Sequence, residues 1–283
     1  MIIALAGYRG FIGKHIRQYF FNDEFILLER TDLYDDPKSL SEKIKEANVV
    51  INVAGFPVSK RWTRANRKKL YDSRITVTGN LVKAINMLEK KPEIYINGSA
   101  VGIYAFDEIH TEESHTPGKN FLAELVSEWE KQADRVSDDV RLVKMRIGLV
   151  LGRTGGAFPR LRKLFNAGLG GVIGNGKQVY SFIHIDDLIG AIEFLLQQGG
   201  RGVYNFTAPE PVTNRVFTRI LAKGLNRRTF LPVPAFALRL IMGEAGSVIT
   251  RGQTVYPKRL LDEGYNFTFA SIESAIDNLV KAQ

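Results

Sequence analysis

Apolar runs and amphipathic stretches alternate along the first two thirds of the chain. Ile2–Ala6 is apolar throughout, and the helix-like stretch Lys14–Phe21 follows it. Phe25–Glu29 reads as a second strand and Ser39–Ala47 as a helix, with Ser39 and Ser41 as candidate caps. Val49–Val53 reads as a buried strand, Arg67–Leu88 as a long helix and Ile94–Asn97 as a strand. Phe121–Val136 is then helical and Leu142–Ile147 extended. Continuous apolar strands separated by helices belong to a parallel sheet covered on both faces. The expected fold is therefore α/β, a Rossmann-type doubly wound parallel sheet. One interval departs from the usual strand order. Only a few residues separate Arg30 from the helix at Ser39, whereas a crossover takes at least about ten. The second crossover helix and the third strand are expected to be missing or vestigial.

Beyond Gly148 the pattern loosens. Gly152, Gly155, Gly156, Gly168, Gly170, Gly171, Gly174 and Gly176 mark a loop-rich stretch around one helix, Ala157–Ala167. A strand (Ser181–Ile185), a helix (Asp186–Gln197) and a strand (Gly202–Phe206) follow. The tail has turns at Pro209, Pro211, Pro232 and Pro234. Residues 1–230 are expected to form the dinucleotide-binding domain, with substrate-lobe segments from about residue 153 and a small C-terminal domain over 231–283. Ligand is expected in the crevice at the C-terminal edge of the sheet.

The first turn carries the most specific chemistry. Gly7, Gly10 and Gly13 stand between the opening strand and its helix, in the loop Gly7-Tyr8-Arg9-Gly10-Phe11-Ile12-Gly13. Glycine lets the backbone approach a pyrophosphate, and the free N–H groups and dipole of a helix N-terminus favour its charge. A glycine-rich turn without ligand is the alternative. Arg9 lies in this loop and Arg30 follows strand two. A guanidinium there pairs with the 2′-phosphate of NADP, whereas a carboxylate accepts hydrogen bonds from the ribose of NAD. The two arginines favour NADP; Glu29 keeps NAD open. Asn52, Ala54 and Gly55 close the third apolar run and are expected beside the cofactor riboses, or else pack the strand end.

Composition narrows the class. The chain has 283 residues, enough for a full core, and its 45% hydrophobic and 24% charged content is that of a globular protein. No apolar stretch is long enough to span a bilayer, so no membrane partner is expected. The chain begins on strand-like residues, which leaves no room for a leader and makes the cytoplasm the expected location. There is no cysteine, which excludes disulfides, thiolate nucleophiles and Cys-based zinc sites. His15, His110, His115 and His184 show no metal-ligand spacing, so no metal is expected. The net charge of +9 suits an anionic ligand. The dense basic stretch Lys60–Arg74 reads as a solvated helix face, and no nucleic acid is expected.

These features together resemble the extended short-chain dehydrogenase/reductases. More specifically, the chain resembles the nucleoside-diphosphate-sugar epimerase-like (cell-division-inhibitor-like) epimerase family proteins. The resemblance rests on the glycine loop, Asn52-Val53-Ala54-Gly55, Arg61-Trp62-Thr63, Ser73-Arg74-Ile75 and Ser99-Ala100-Val101-Gly102-Ile103-Tyr104. It continues through Trp129-Glu130, Arg146–Gly152, Gly174–Gln178, Ser181–Asp187 and Asn205–Thr213 to Gly252-Gln253 and Pro257–Leu261, which resemble the small C-terminal domain of the family. The resemblance implies a nicotinamide cofactor and an epimerase or oxidoreductase acting on a small molecule. It also implies a Tyr that exchanges a proton with the substrate, and a Lys four residues on that holds the nicotinamide ribose and lowers the Tyr pKa. Here Phe121 stands where the Tyr is expected and Leu125 where the Lys is expected; one register on, the pair is Leu122 and Val126. Three readings stay open: a non-catalytic NADP-binding regulator or redox sensor, proton transfer by another group, or water as the proton source. Ser99, Tyr104, Lys119 and Glu124 are the neighbouring candidates for the second, with Ser99 and Tyr104 foremost.

Arg61, Trp62 and Arg74 are the candidate substrate-pocket residues, the indole for stacking and the guanidinium groups for an anionic group. His184 is a further pocket candidate. Its neighbours Asp186 and Asp187 read as caps of the following helix. The resemblance also places Arg67–Leu88 and Phe121–Val136 at a four-helix dimer contact. The charges on Arg67, Lys68, Lys69, Lys83, Lys90 and Lys91 oppose burying all of it, so monomer and homodimer both stay open.

Overall fold

The computed structural model describes residues 1–114, 116–229 and 232–281. Strand β1 (Ile2–Ala6) leads through the glycine loop into helix α1 (Phe11–Tyr19), and β2 (Glu24–Leu28) returns beside β1. Two short helices, α2 (Arg30–Tyr34) and α3 (Pro37–Ile44), precede β3 (Val49–Asn52), which pairs with the other side of β1. No strand lies outside β2 among the described residues, so the third strand of the usual order is absent, as the short Arg30–Ser39 interval predicts. The sequence pattern gave no sign of α2. It is seeded by Glu29, whose backbone N–H donates to Asp32 Oδ2 at 2.7 Å.

Helices α4 (Arg64–Tyr71) and α5 (Val77–Met87) are joined by a π-helical segment, Asp72–Thr76, where the pattern had suggested one helix from Arg67. Then come β4 (Ile94–Ala100), the short β5 (Ile109–His110), α6 (Phe121–Ala133) and β6 (Arg141–Ile147). After β7 (Leu149–Leu151), α7 (Phe158–Asn166), β8 (Val179–Tyr180) and β9 (Phe182–His184), helix α8 (Ile185–Gln198) leads to β10 (Gly202–Phe206). Six strands form one parallel sheet in the order β2-β1-β3-β4-β6-β10. Alternate residues of each strand point to opposite faces, and both faces are covered. Ile3, Leu5, Ile51, Ile96 and Met145 pack on one side with Ile16 of α1 and Leu188 and Ile192 of α8. Ala4, Val50 and Tyr95 pack on the other with Leu40 of α3 and Leu81 and Ile85 of α5.

The rest of the chain is built beside this sheet: β11 (Val212–Thr213), α9 (Asn214–Gly224), α10 (Ala235–Met242), α11 (Ser247–Thr250), β12 (Thr254–Val255), α12 (Lys258–Asp262) and α13 (Ile272–Lys281). Phe158 and Phe165 of α7, Phe217 and Leu221 of α9, and Ile272, Ile276 and Leu279 of α13 share one core. The tail also reaches back to the larger unit: β12 pairs with β5, and Leu260 of α12 joins the sheet core. Phe230 and Leu231, at the expected 230/231 boundary, lie outside the described residues, as does His115. No helix of the described residues is long and apolar enough to cross a membrane.

Candidate functional site

The C-terminal ends of β1, β2 and β3 open onto a cleft of about 470 Å³. Its walls are the glycine loop (Gly7–Gly10), the β2–α2 junction (Leu28–Arg30, Leu33, Tyr34), the segment Val53–Pro57 after β3, and Lys69, Asp72, Ser73 and Val77. The loop is built for close backbone approach. Gly7 has φ +85°, and a Cβ there would lie 2.7 Å from Ala54 N and from Val53 C. A Cβ on Gly13 would lie 2.4 Å from Gly7 O and 2.7 Å from Tyr8 Cα. Any larger residue at either position would push the loop away from β3 or from α1. Gly10 is the N-cap of α1 and no side chain caps that end, so the first-turn N–H groups stay available to a ligand.

Of the residues proposed from sequence for the cofactor, Gly7, Arg9, Gly10, Arg30, Ala54 and Gly55 line the cleft. Phe11, Ile12, Gly13 and Asn52 stand behind it. Phe11 presses its ring onto the glycines of the loop after β7, where a Cβ on Gly152 or Gly155 would come within 2.3 Å of ring carbons. Ile12 packs against the sheet core. Asn52 is fully buried: its Nδ2 donates to Asn97 Oδ1 at 2.8 Å and to Thr78 Oγ1 at 3.1 Å, and its Oδ1 accepts from Ala54 N at 3.2 Å. It therefore shapes the turn under the cleft and cannot bond a ribose directly.

At the rim, Glu29 is already engaged. Its Oε1 accepts from the Tyr8 hydroxyl and from Arg9 Nη2 at 2.7 Å, while Arg9 Nε donates to the Tyr8 oxygen at 2.8 Å. Arg30 is exposed beside it, its guanidinium 5.5 Å from the Tyr34 ring centroid.

Arg74 comes from the π-helical segment. Its Nη2 lies 3.1 Å from where a Gly55 Cβ would be, its Nη1 donates to Phe56 O at 3.1 Å, and the guanidinium rests 5.1 Å from the Trp129 ring centroid. Burial lowers its pKa to about 10, and no carboxylate contributes to offset that. This is a half-buried cation, beside the cleft, with neutral partners.

The other sequence candidates are placed differently. Trp62 was put forward as a flat stacking face, but it is 7% exposed. It packs on Phe121 and inside a cluster with Leu70, Ile103 and Val126, and its Nε1–H donates to Val58 O at 3.0 Å. An indole among apolar neighbours gains more from burial than from display. Arg61 is exposed and lies against Gly243, away from the cleft lining. His184 is 1% exposed and caps α8: its Nδ1 accepts from Asp186 N at 3.2 Å. The capping role expected of Asp186 or Asp187 thus falls to the histidine. Asp187 instead accepts from the backbone N–H groups of Thr268 and Phe269 at 2.8 and 2.9 Å, holding the tail to α8. No hydrogen bond to His184 Nε2 forms among the described residues, though the Asn278 side chain is close enough to oppose, in part, the lowering of the ring's pKa by burial.

Ser99 and Tyr104 belong to one buried network. Ser99 Oγ donates to Glu130 Oε1 at 2.5 Å, and Arg146 holds both Glu130 oxygens with two bonds of 2.8 Å. Arg146 Nη1 also donates to the Tyr104 oxygen at 2.9 Å, and the Tyr104 hydroxyl reaches Asn205 Oδ1 at 2.8 Å. Tyr104 is 1% exposed and stacks on His110 with ring centroids 4.6 Å apart. Burial raises its pKa, more than Arg146 opposes. Burial would also raise Glu130, but Arg146, together with Ser99 and Lys144, more than offsets this and holds the carboxyl below the usual range. Neither hydroxyl lines the cleft. On α6, Leu122, Leu125 and Val126 are core residues and Phe121 packs against them, so neither register offers a proton donor. Lys119 and Glu124 have no role in this network.

Sequence reasoning missed the Glu130–Arg146 pair. The available signal was a charged residue at a core-facing position of α6 and another inside an apolar strand. Tyr8, Lys69, Asp72 and Ser73 were missed as cleft residues; three of them come from α4 and the π-helical segment, distant in sequence from the glycine loop that holds Tyr8.

Residues 3–206 match the NAD dependent epimerase/dehydratase family, and residues 233–279 match a domain of unknown function (DUF1731). The chain is 35% identical to "Epimerase family protein SDR39U1 homolog, chloroplastic" of Arabidopsis thaliana, covering 98% of this chain and 86% of that protein. It is 31% identical to "Epimerase family protein YfhF" of Bacillus subtilis, covering 99% and 98%. The crystal structure of human epimerase family protein SDR39U1 (isoform2) with NADPH superposes with a TM-score of 0.92 at 30% identity, over all of both chains.

Proposed function

The chain belongs to the NAD dependent epimerase/dehydratase family, and from that premise we propose that it binds NADP(H) in the cleft and acts as an oxidoreductase or epimerase on an anionic small molecule. The observation that carries the reading is the loop geometry: glycines that admit no Cβ at Gly7 and Gly13, beside an α1 N-terminus that no side chain caps. That cradle fits a pyrophosphate. Arg30, exposed at the end of β2, pairs with the 2′-phosphate, and Arg9 joins it by exchanging Glu29 for the phosphate. The engagement of Glu29 by Tyr8 and Arg9 disfavours its use as a ribose acceptor for NAD. The human SDR39U1 structure with NADPH is consistent with this choice.

The bound nicotinamide would supply or accept a hydride. The protein's own contribution is binding and orientation. Arg74, a cation without a carboxylate partner against Gly55, holds an anionic group of the substrate at the inner end of the cleft. Arg61 stands farther out, toward α10, and attracts the substrate without gripping it. With Phe121 and Leu125 where a Tyr and a Lys would stand, and with the Ser99 and Tyr104 hydroxyls bonded elsewhere, water delivers the proton. A non-catalytic NADP-binding regulator is the second reading. It is favoured by the same burial of Ser99 and Tyr104.

The test is a fluorescence titration with NADPH and NADH of the wild type and of Arg30→Ala. Losing a charge-assisted phosphate contact of roughly 1.5–3 kcal/mol weakens NADPH about tenfold to a hundredfold. NADH binding should be unchanged. NADH binding as tight as NADPH would move the site to NAD through Glu29. With binding established, NADPH oxidation in the presence of carboxylate- and phosphate-bearing carbonyl compounds separates the readings. Turnover that falls in Arg74→Gln supports the enzyme; tight NADPH binding without turnover of any of them supports the regulator.

A further inference from the structure

We propose that the lobe carrying α7, α9 and α10 docks on an anionic lipid surface, with the outward face of α10 as the apolar contact. This inference is independent of what the cofactor cleft binds. It rests on an apolar helix face left exposed among the described residues and on the basic, carboxylate-free stretches of the lobe that carries it.

Helix α10 has no buried residue. Phe236, Leu240 and Ile241 are 74%, 77% and 70% exposed, while Met242 turns inward onto the Trp62 cluster. Leu169, on the neighbouring loop, is 67% exposed. Large apolar side chains clustered on one face mark an interaction surface.

The surrounding charge says what kind. Between Glu210 and Glu244 there is no carboxylate, but there are Arg215, Arg219, Lys223, Arg227, Arg228 and Arg239. Residues 154–185 likewise carry Arg160, Arg162, Lys163 and Lys177 and no carboxylate. The two stretches are one lobe. Val233 N donates to Val172 O at 2.8 Å, Gly174 N to Val233 O at 2.9 Å, and β11 pairs with β8. Their cations bond neutral groups: Arg160 the Ser59 hydroxyl, Arg215 the Asn175 carbonyl and Arg227 the Asn166 side-chain oxygen. No carboxylate pairs with these cations among the described residues; the acidic groups nearest in the same core, Glu273 and Asp277, stand on α13, where Asp277 pairs with Lys281.

Apolar side chains that insert, on a lobe whose adjoining stretches carry lysine and arginine and no carboxylate, match a leaflet rich in acidic headgroups. A second copy of the same face would bring like charges together. Nucleic acid would engage the cations but leave Phe236, Leu240 and Ile241 in water.

The experiment is co-sedimentation of the full chain with phosphatidylcholine vesicles, with and without phosphatidylglycerol, at low and high salt. Binding should need phosphatidylglycerol and weaken as salt rises. The variant Phe236→Ser/Leu240→Ser/Ile241→Ser should reduce partitioning about tenfold or more by removing the inserted area. Arg227→Glu/Arg228→Glu should reduce it by removing headgroup contacts. Circular dichroism of each variant distinguishes lost docking from lost folding, and these exposed substitutions should leave it unchanged. Failure to bind phosphatidylglycerol vesicles overturns the proposal, as does equal binding to neutral vesicles or an undiminished triple variant. Retardation of DNA or RNA without vesicle binding would reassign the face to nucleic acid. A dimer abolished by the triple variant, without vesicle binding, would reassign it to a second copy.

Discussion

Replacing Arg146 by Met should be among the most damaging single changes in this protein. Arg146 is 8% exposed and Glu130 5%, and two bonds of 2.8 Å join them side by side. Met keeps most of the volume but leaves the Glu130 carboxylate buried with only Ser99 and, at 3.8 Å, the Lys144 ammonium. Leaving one partner of a buried pair uncompensated costs about 3–5 kcal/mol. The Tyr104 hydroxyl loses a donor as well, which adds roughly 1 kcal/mol. Glu130→Gln in the Arg146→Met background removes the stranded charge, so the double variant should recover about half or more of the loss. Urea denaturation of the wild type, both single variants and the double variant closes the cycle. Acid provides a second readout. The folded Glu130 pKa lies below the ordinary carboxylate value of roughly 4.3, so the unfolded chain binds the proton first. Its stabilising contribution is full above that value and is lost as pH falls through the folded pKa. Glu130→Gln should flatten that acid limb. A coupling energy near zero, or an Arg146→Met loss under about 1 kcal/mol, would refute the claim that this pair holds β4, α6 and β6 together.

Gly13→Ala should weaken NADPH binding and cost about 1–3 kcal/mol of stability, because its Cβ meets backbone at Gly7 and Tyr8 that cannot swing aside. Isothermal titration and thermal melts check both, and an unaltered variant would show that the loop has room to spare. His184 is neutral in the folded state, since burial lowers its pKa, so its share of stability is complete above the unfolded value of roughly 6.5 and fades as pH falls. His184→Gln should remove that slope between neutral and mildly acid pH; a denaturation series with the same slope in both proteins would contradict the assignment.

The sequence was sufficient wherever the cause is local. Ile2–Ala6 followed by Gly7, Gly10 and Gly13 specifies a strand, a turn and a helix start from residues that touch one another. The interval after Arg30 is too short for another strand, and none forms. That Phe121 and Leu125 stand where the family resemblance implies a Tyr and a Lys was equally legible, since positions four apart share one face of a helix. Tertiary structure decided the rest. Trp62 lies in a basic stretch that reads as surface, yet Phe121, from a helix far along the chain, covers it. Asn52 sits at the mouth of the site in sequence but turns inward, because Asn97 and Thr78 supply partners from β4 and α5. Ser99 and Tyr104 look available until Glu130, Arg146 and Asn205 are brought in around them. The π-helical turn that swings Arg74 against Gly55 has no signature in composition or period. The division follows from physics: backbone conformation is set by neighbours along the chain. Whether a polar side chain faces ligand or core depends on partners that only folding delivers.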